Sequence, residues 1–290
     1  MDRLVLHDAT KQQLEHFLKA PSHALLLAGA DGIGKTAIAE ALLCELLGLE
    51  PAKLQDYPQL MVVGPSVTNS ISIEEIRNLQ KFLQLKTIGE RPLRRAVIVE
   101  HAQGLTTEAQ NAFLKLLEEP PADTIMILTV DSPRSLLPTI LSRTQAITIS
   151  APTEQQLEAI LSRSSKDEAT LRQAYFLSGG LPGLLCALIE GDETHPLLES
   201  VAQAKTILQK TTFERLAMVD GLSKQKDKAL MVVSALERIA ETCINQAAAK
   251  GETSRIKQWH KIRKQAAQAR EALEQSANTK LALSNLFLHL

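Results

Sequence analysis

The sequence predicts an α/β fold built on a parallel sheet, followed by two all-α regions, on the strength of three observations. Short apolar runs alternate with helical periods up to residue 150, a glycine-rich loop joins the first run to a helix, and after Ser150 no strand-like run recurs. The implied domains are 1–150, α/β, then 151–194 and 195–290, both helical.

The run Ala24–Ala28 ends at Gly29, and Ile38, Ala41, Leu42 and Leu46 recur at helical spacing after Lys35. That predicts strand, loop and helix, with Gly48 as the glycine that ends the helix. A polar stretch with Pro51, Pro58 and Pro65 follows, and Ile73, Ile76, Leu79 and Leu83 then mark a second helix capped by Ser72 or Ser70. Ala96–Val99 reads as a buried strand running into Glu100. Thr107 and Gln110 have capping-box spacing for a helix whose Ala109, Ala112, Phe113, Leu116 and Leu117 share one face, and Pro120 with Pro121 stops it. Thr124–Val130 and Ile147–Ile149 are two further strands, with a helical segment Leu136–Leu141 between them. Thr153 opens one helix and Asp167 another, while Gly179, Gly180 and Pro182 punctuate a third. From Pro196 to Leu290 five helical segments are expected, broken near Thr211, Ser223, Gly251 and Asn278.

Composition agrees with this reading. A chain of 290 residues with 44% apolar content exceeds one average domain, and only 3% aromatics favours helices packed through aliphatic side chains. Cys44, Cys186 and Cys243 are widely separated and odd in number, so they read as buried apolar residues rather than disulfides. No stretch approaches the roughly 18–20 uninterrupted apolar residues of a membrane span, and a reducing cytoplasm is the expected compartment. Residues 201–290 hold 15 Lys/Arg against 8 Asp/Glu, whereas residues 1–200 hold 17 against 25. The basic C-terminal part is either a solvated helix surface or a face for nucleic acid or an acidic partner; Trp259 is its only tryptophan, and little else there would stack on bases.

The loop Gly29-Ala30-Asp31-Gly32-Ile33-Gly34-Lys35-Thr36 has the spacing of a phosphate-binding P-loop between a strand and a helix. Its N–H groups, from Gly29, Asp31, Gly32, Ile33 and Gly34 through Lys35, Thr36 and Ala37, can turn toward phosphate oxygens at the positive end of the helix. Lys35 would neutralise the β- and γ-phosphates, and Thr36 would ligate magnesium. ATP or ADP with magnesium is therefore the expected ligand, and Glu100, ending the right strand, would complete the magnesium site. An active ATPase needs a further carboxylate to orient the attacking water, and at that place stands His101, whose neutral imidazole substitutes poorly. Hydrolysis by this chain alone is expected to be weak or absent. Ser142-Arg143 ends the segment after Thr124–Val130; an arginine there either supports its own sheet or reaches a neighbouring subunit's γ-phosphate.

Several segments together resemble the bacterial DNA polymerase III clamp-loader AAA+ proteins, most closely the delta-prime subunits. They are His23-Ala24-Leu25, Tyr57-Pro58-Gln59-Leu60, Ile71-Ser72-Ile73-Glu74-Glu75-Ile76-Arg77, Asn111 to Pro121, Leu136 to Arg143, and the ending from Asn278 through Leu283. Their order is kept along essentially the whole chain. The resemblance implies an AAA+ nucleotide-binding domain (1–150), a helical lid (151–194) and a helical collar (195–290) that joins gamma/tau, delta and delta-prime subunits in a hetero-pentamer. Such a ring opens a sliding clamp and places it on primed DNA. It implies that Arg143, beside Ser142, acts as an arginine finger toward an adjacent motor subunit.

Three departures qualify that implication, and one assignment stays open. Thr144 replaces the cysteine of the Ser-Arg-Cys motif. Glu50 to Tyr57, the region of the family's zinc module, lacks cysteine, so no zinc is expected. Ser178-Gly179-Gly180-Leu181-Pro182-Gly183 has the Pro-Gly form of delta-prime and lacks the arginine with which motor subunits sense nucleotide. The polar sensor at the strand tip before Ser132 is either Thr129 or Asp131. Two rival readings stand beside this one: an active motor subunit of the same loader, and an unrelated P-loop kinase supported by Gly29–Thr36 alone.

Overall fold

The computed structural model of the protein describes residues 4–65, 70–87, 91–152, 156, 166–179, 181–190, 197–249, 251–275 and 277–290. They form two compact units, residues 1–156 and 157–290.

In the first unit a five-stranded parallel sheet has the order β2-β3-β4-β1-β5, with β1 Ala24–Ala28, β2 Leu60–Val63, β3 Arg95–Val99, β4 Thr124–Val130 and β5 Gln145–Thr148. Both faces are covered, as an all-parallel sheet requires. On one face α3 (Ile73–Gln84), α4 (Thr107–Glu118) and the short α5 (Pro138–Leu141) bury Ile76, Leu79, Phe113, Leu117 and Ile140 against Leu26, Val97, Met126 and Leu128. On the other, α1 (Asp8–Lys19) packs on β5 and on α2 (Lys35–Leu47), which itself lies against β1 and β4. The central strands β1, β3 and β4 are nearly continuous apolar runs because neither face meets water: every residue of the three is buried.

Sequence spacing placed most elements correctly and misjudged some edges. The helix α3 is capped by Ser72, not Ser70, in a reciprocal box with Glu75. For α4 the cap is Thr106, whose hydroxyl accepts from the N–H of Ala109; Thr107 is the first helical residue. The displaced partner, Gln110, is buried and spans outward, donating to the carbonyl of Leu105 and accepting from the N–H of Leu137. Strand β5 begins at Gln145, before the apolar Ile147, because backbone pairing with Leu25 extends it. The segment expected as helix from Leu136 condenses to α5, since Pro138 is its first residue and the preceding Pro133–Ser135 forms a 3-10 turn. Helix α1 and strand β2 had no reading from periodicity; β2 is half-exposed and only four residues long. Ala41 and Leu46 are only half-buried on α2, whose inward face is Ile38, Ala39, Leu42 and Leu43.

The lower end of the sheet is held by charge. Arg95 is buried and donates to the carbonyls of Leu83 and Leu85 at the end of α3, with its guanidinium over the Phe82 ring. Asp123, at the start of β4, would have its acidity weakened by burial, but the Thr87 hydroxyl, Arg95 and Arg94 outweigh that and hold its carboxyl below the ordinary value of 3.8.

The second unit is all helical: α6 Glu168–Ser178, α7 Pro182–Glu190, α8 Leu198–Gln209, α9 Thr212–Leu222, α10 Lys226–Ala249, α11 Thr253–Glu274 and α12 Thr279–His289. Asp167, Thr211 and Asn278 are N-caps, as expected of residues at those breaks. The long α10 is the spine, with α6, α8 and α11 packed along it. Buried Cys243 on α10 has its thiol pushed up to about 12 by burial, consistent with a packing role. The helices expected for lid (α6, α7) and collar (α8–α12) both fall within this unit. The helix expected from Thr153, and the turn residue Gly180, lie outside the described residues. No helix among the described residues is long and apolar enough to cross a membrane.

The cap assignment is testable by urea denaturation: Thr106→Ala costs about 1 kcal/mol, whereas Thr107→Ala stays within about 0.5 kcal/mol of the parent. A second expectation concerns acid. Because the Asp123 value is lowered on folding, its contribution is present above pH 3.8 and is lost as pH falls through the lowered value. Asp123→Asn therefore destabilises by about 1–3 kcal/mol at pH 7, and the gap from the parent narrows in melts taken below that range.

Candidate functional site

The strand order brings the carboxyl ends of β1, β4 and β3 side by side, and the loop after β1 opens there. The Gly29 N–H donates to the carbonyl of Val130 at 3.1 Å, tying the loop to the tip of β4. A Cβ at Gly29 would lie 3.0 Å from the carbonyl oxygen of Ile149, so any larger residue would have to push that backbone aside by a few tenths of an ångström. Ile33 is buried beneath the loop, and Gly34 turns into α2 with φ of 95°, a left-handed value that glycine adopts freely. No side chain caps α2 and no acidic residue occupies its first turn, so the positive end of the helix faces the loop unneutralised. Ala37 is exposed on that first turn.

Lys35 is only 5% exposed, and its ammonium is fully engaged. It donates to the carbonyls of Gly29 and Ala30 at 2.7 and 3.2 Å and to Oδ1 of Asp131 at 2.8 Å. A buried ammonium needs such partners, since leaving it bare costs several kcal/mol. Beside it the Thr36 hydroxyl donates to Oε1 of Glu100 at 3.0 Å, so the two residues expected to hold magnesium do meet, one oxygen from each facing the other. Glu40, one helical turn past Thr36, has its carboxyl acidity weakened by burial and by the Glu100 charge, against a hydrogen bond from Gln55. Concentrated negative charge around two hydroxyl and carboxylate oxygens suits a hard divalent cation.

The rivals at the tip of β4 separate. Thr129 is 1% exposed and its hydroxyl accepts the N–H of His101 at 3.0 Å, while Asp131 reaches the loop lysine. His101 itself has φ of 47°, the one positive value at a non-glycine residue among those described. That strained turn brings its imidazole within 4.8 Å of the carboxylate oxygens of both Asp31 and Asp131. Gln103, which sequence reasoning passed over, donates to Oδ2 of Asp131 at 2.7 Å. Asp31 folds back so that Oδ1 accepts the N–H of Gly32 at 3.0 Å.

Arg143 stands apart from this constellation. Following Ser142 at the end of α5, it donates to the carbonyl of Thr139 and the Ser142 hydroxyl, and forms an ion pair with Oε1 of Glu118 at 2.7 Å. It remains 35% exposed. Its partners are on α4 and α5, and none belongs to the P-loop.

A family model described as DNA polymerase III, delta subunit, matches residues 6–153. The DNA polymerase III subunit delta' of Pseudomonas aeruginosa is 34% identical over 179 residues, covering 56% of this chain and 54% of the relative. Its counterpart in Escherichia coli K12 is 32% identical over 187 residues, covering 59% and 55%. The Replication factor C small subunit of Aeropyrum pernix is 26% identical over 239 residues, covering 82% and 69%. The chain spans about half the length of the curated delta' relatives it matches. A DNA polymerase III, gamma subunit-related protein from Thermotoga maritima is similar over 97% of this chain and 98% of its own, with a TM-score of 0.60 at 19% identity, a likeness of fold. The family match takes in the whole constellation from the P-loop through Glu100, Asp131 and Arg143, and the chain belongs to the clamp-loader AAA+ family whose model is described as DNA polymerase III, delta subunit.

Proposed function

We propose that this chain is a delta-prime subunit of a DNA polymerase III clamp loader: a nucleotide-binding scaffold that donates Arg143 to a neighbouring motor subunit. One observation carries the reading. Where an ATPase needs a second carboxylate, the strained turn after β3 presents His101, while Arg143 is held by Glu118 at the surface, away from its own P-loop. A guanidinium braced in that way is preorganised to meet an anion on another subunit at small entropic cost. The P-loop would bind ATP or ADP through the N–H groups from Gly29 to Ala37 and through Lys35. Thr36 and Glu100 would hold magnesium, which neutralises phosphate charge when bound. The remainder of the assignment rests on family likeness: a lid at 151–194, a collar at 195–290, gamma/tau and delta partners in a hetero-pentamer, a sliding clamp, primed DNA and a cytoplasmic setting. Exposed Phe213 on α9 and exposed Leu281 and Leu288, one heptad apart on the adjoining α12, support a collar that meets other subunits.

A motor role is favoured by one observation of its own, the complete P-loop with Lys35, Thr36 and Glu100 in register. ATP turnover by the purified chain with clamp and primed DNA separates the two. Hydrolysis at a rate comparable to the assembled loader selects the motor; a rate near background selects the scaffold.

In the assembled loader, Arg143→Ala lowers turnover at the site it serves by about 10³-fold and leaves nucleotide affinity of this chain intact. Steady-state hydrolysis unchanged from the parent complex would refute the trans-acting role. Lys35→Ala abolishes nucleotide binding by this chain, read by calorimetry, without weakening co-purification of the loader subunits. Loss of the complex in that variant would show that the P-loop, and not the collar, governs assembly.

A further inference from the structure

Two groups that ordinarily meet phosphate oxygens are already held by carboxylates of this chain, the Lys35 ammonium by Asp131 and the Gly32 N–H by Asp31. In a P-loop the backbone amides cradle the α- and β-phosphates while the lysine reaches the β- and γ-phosphates. Here the Lys35 ammonium has three hydrogens and three acceptors, the third being Oδ1 of Asp131 at 2.8 Å. Asp131 is itself fixed from the other side by Gln103, at 2.7 Å. In the loop, the N–H of Gly32 is taken by Oδ1 of Asp31. The two carboxylates lie close together, with ligand oxygens and a nitrogen of His101 all within 4.8 Å of one another. Charged and titratable groups around this mouth are therefore Asp31, Asp131 and Glu100 against Lys35, with His101 between.

We propose that the pocket is selective for a nucleoside diphosphate over the triphosphate, with Asp131 setting the discrimination. The inference rests on the nucleotide-binding reading above and deepens it. A diphosphate ends with its charge over the amides of the loop and the start of α2, where Asp31 holds the one amide of Gly32 and no carboxylate of the first helical turn opposes it. A triphosphate adds negative charge at the mouth, where it must displace Asp131 from Lys35 and sit beside two carboxylates held by their own hydrogen bonds. Repulsion between like charges a few ångströms apart in a partly buried site is large enough to change affinity by an order of magnitude. Asp131 thus occupies the place of the terminal phosphate, and the neutral amide of Gln103 positions it there.

The test is calorimetric titration of the full chain with magnesium-ADP and with the hydrolysis-resistant β,γ-imido analogue of magnesium-ATP, for the parent, Asp131→Asn and Gln103→Ala. The parent binds the diphosphate at least about tenfold more tightly. Asp131→Asn strengthens the triphosphate analogue more than the diphosphate and brings the ratio to within about threefold. Gln103→Ala, which frees Asp131 without removing its charge, shifts the ratio in the same direction by less, and thermal melts verify that each variant is folded. Equal or tighter binding of the triphosphate analogue by the parent, or an unchanged ratio in Asp131→Asn, overturns the selectivity while leaving nucleotide binding in place. Binding of neither nucleotide by the parent overturns the nucleotide reading and this inference with it.

Discussion

The buried ammonium of Lys35 is the constraint on which the first unit depends. A charge that is 95% removed from water survives only where fixed acceptors surround it, and those three acceptors come from two distant stretches of chain. Two are carbonyls at the mouth of β1, and the third is the side chain at the tip of β4. They converge because β1 is inserted between β4 and β5, so that its loop rises beside the last residues of a strand formed a hundred positions later. The packing below serves this geometry. Interdigitated aliphatic layers on both faces hold β1 and β4 in a register of five paired residues, and a slip there would carry Asp131 away from the lysine.

Much of this was legible in the sequence wherever a local rule and the global fold agree. The P-loop is a contiguous string whose residue types are dictated by backbone geometry, and it was readable from Gly29 to Thr36. The fully buried strands β3 and β4 announced themselves as unbroken apolar runs. Elements whose character depends on distant neighbours were not legible: β2 is half-exposed and owes its existence to pairing with β3, and β5 extends to the polar Gln145 because Leu25 lies opposite. The same distinction holds at the site. Thr129 and Asp131 differ by two positions on one strand, and only three-dimensional placement shows that one supports the His101 backbone while the other pairs with Lys35. Gln103 carries no sequence signal at all, since an exposed-looking glutamine in a turn becomes informative only once Asp131 stands beside it.

The two arginine environments show how one residue type divides its labour. Arg95 is buried, with its donors spent on the carbonyls that end α3, and its contribution is to the lower edge of the sheet. Arg143 has a single carboxylate partner and keeps a third of its surface in water. An ion pair so exposed contributes little to folding, about 0–1 kcal/mol, so its placement at the end of α5 finds no sufficient reason within this chain's own stability. That asymmetry is the physical ground for looking outside the chain for what Arg143 meets.

The left-handed turn at His101 bears on what a single substitution there would achieve. Placing a glutamate at that position would set a third carboxylate against Asp31 and Asp131, whose oxygens already lie within 4.8 Å of the imidazole. Like charges at such separations repel, and the new group would be driven to take up a proton, the state in which it cannot act as a base. With the mouth of the site lined by this chain's own carboxylates, a glutamate at position 101 alone would not supply the missing base. Removing Asp131 as well would take away the carboxylate that pairs with the buried Lys35, so the two changes work against each other.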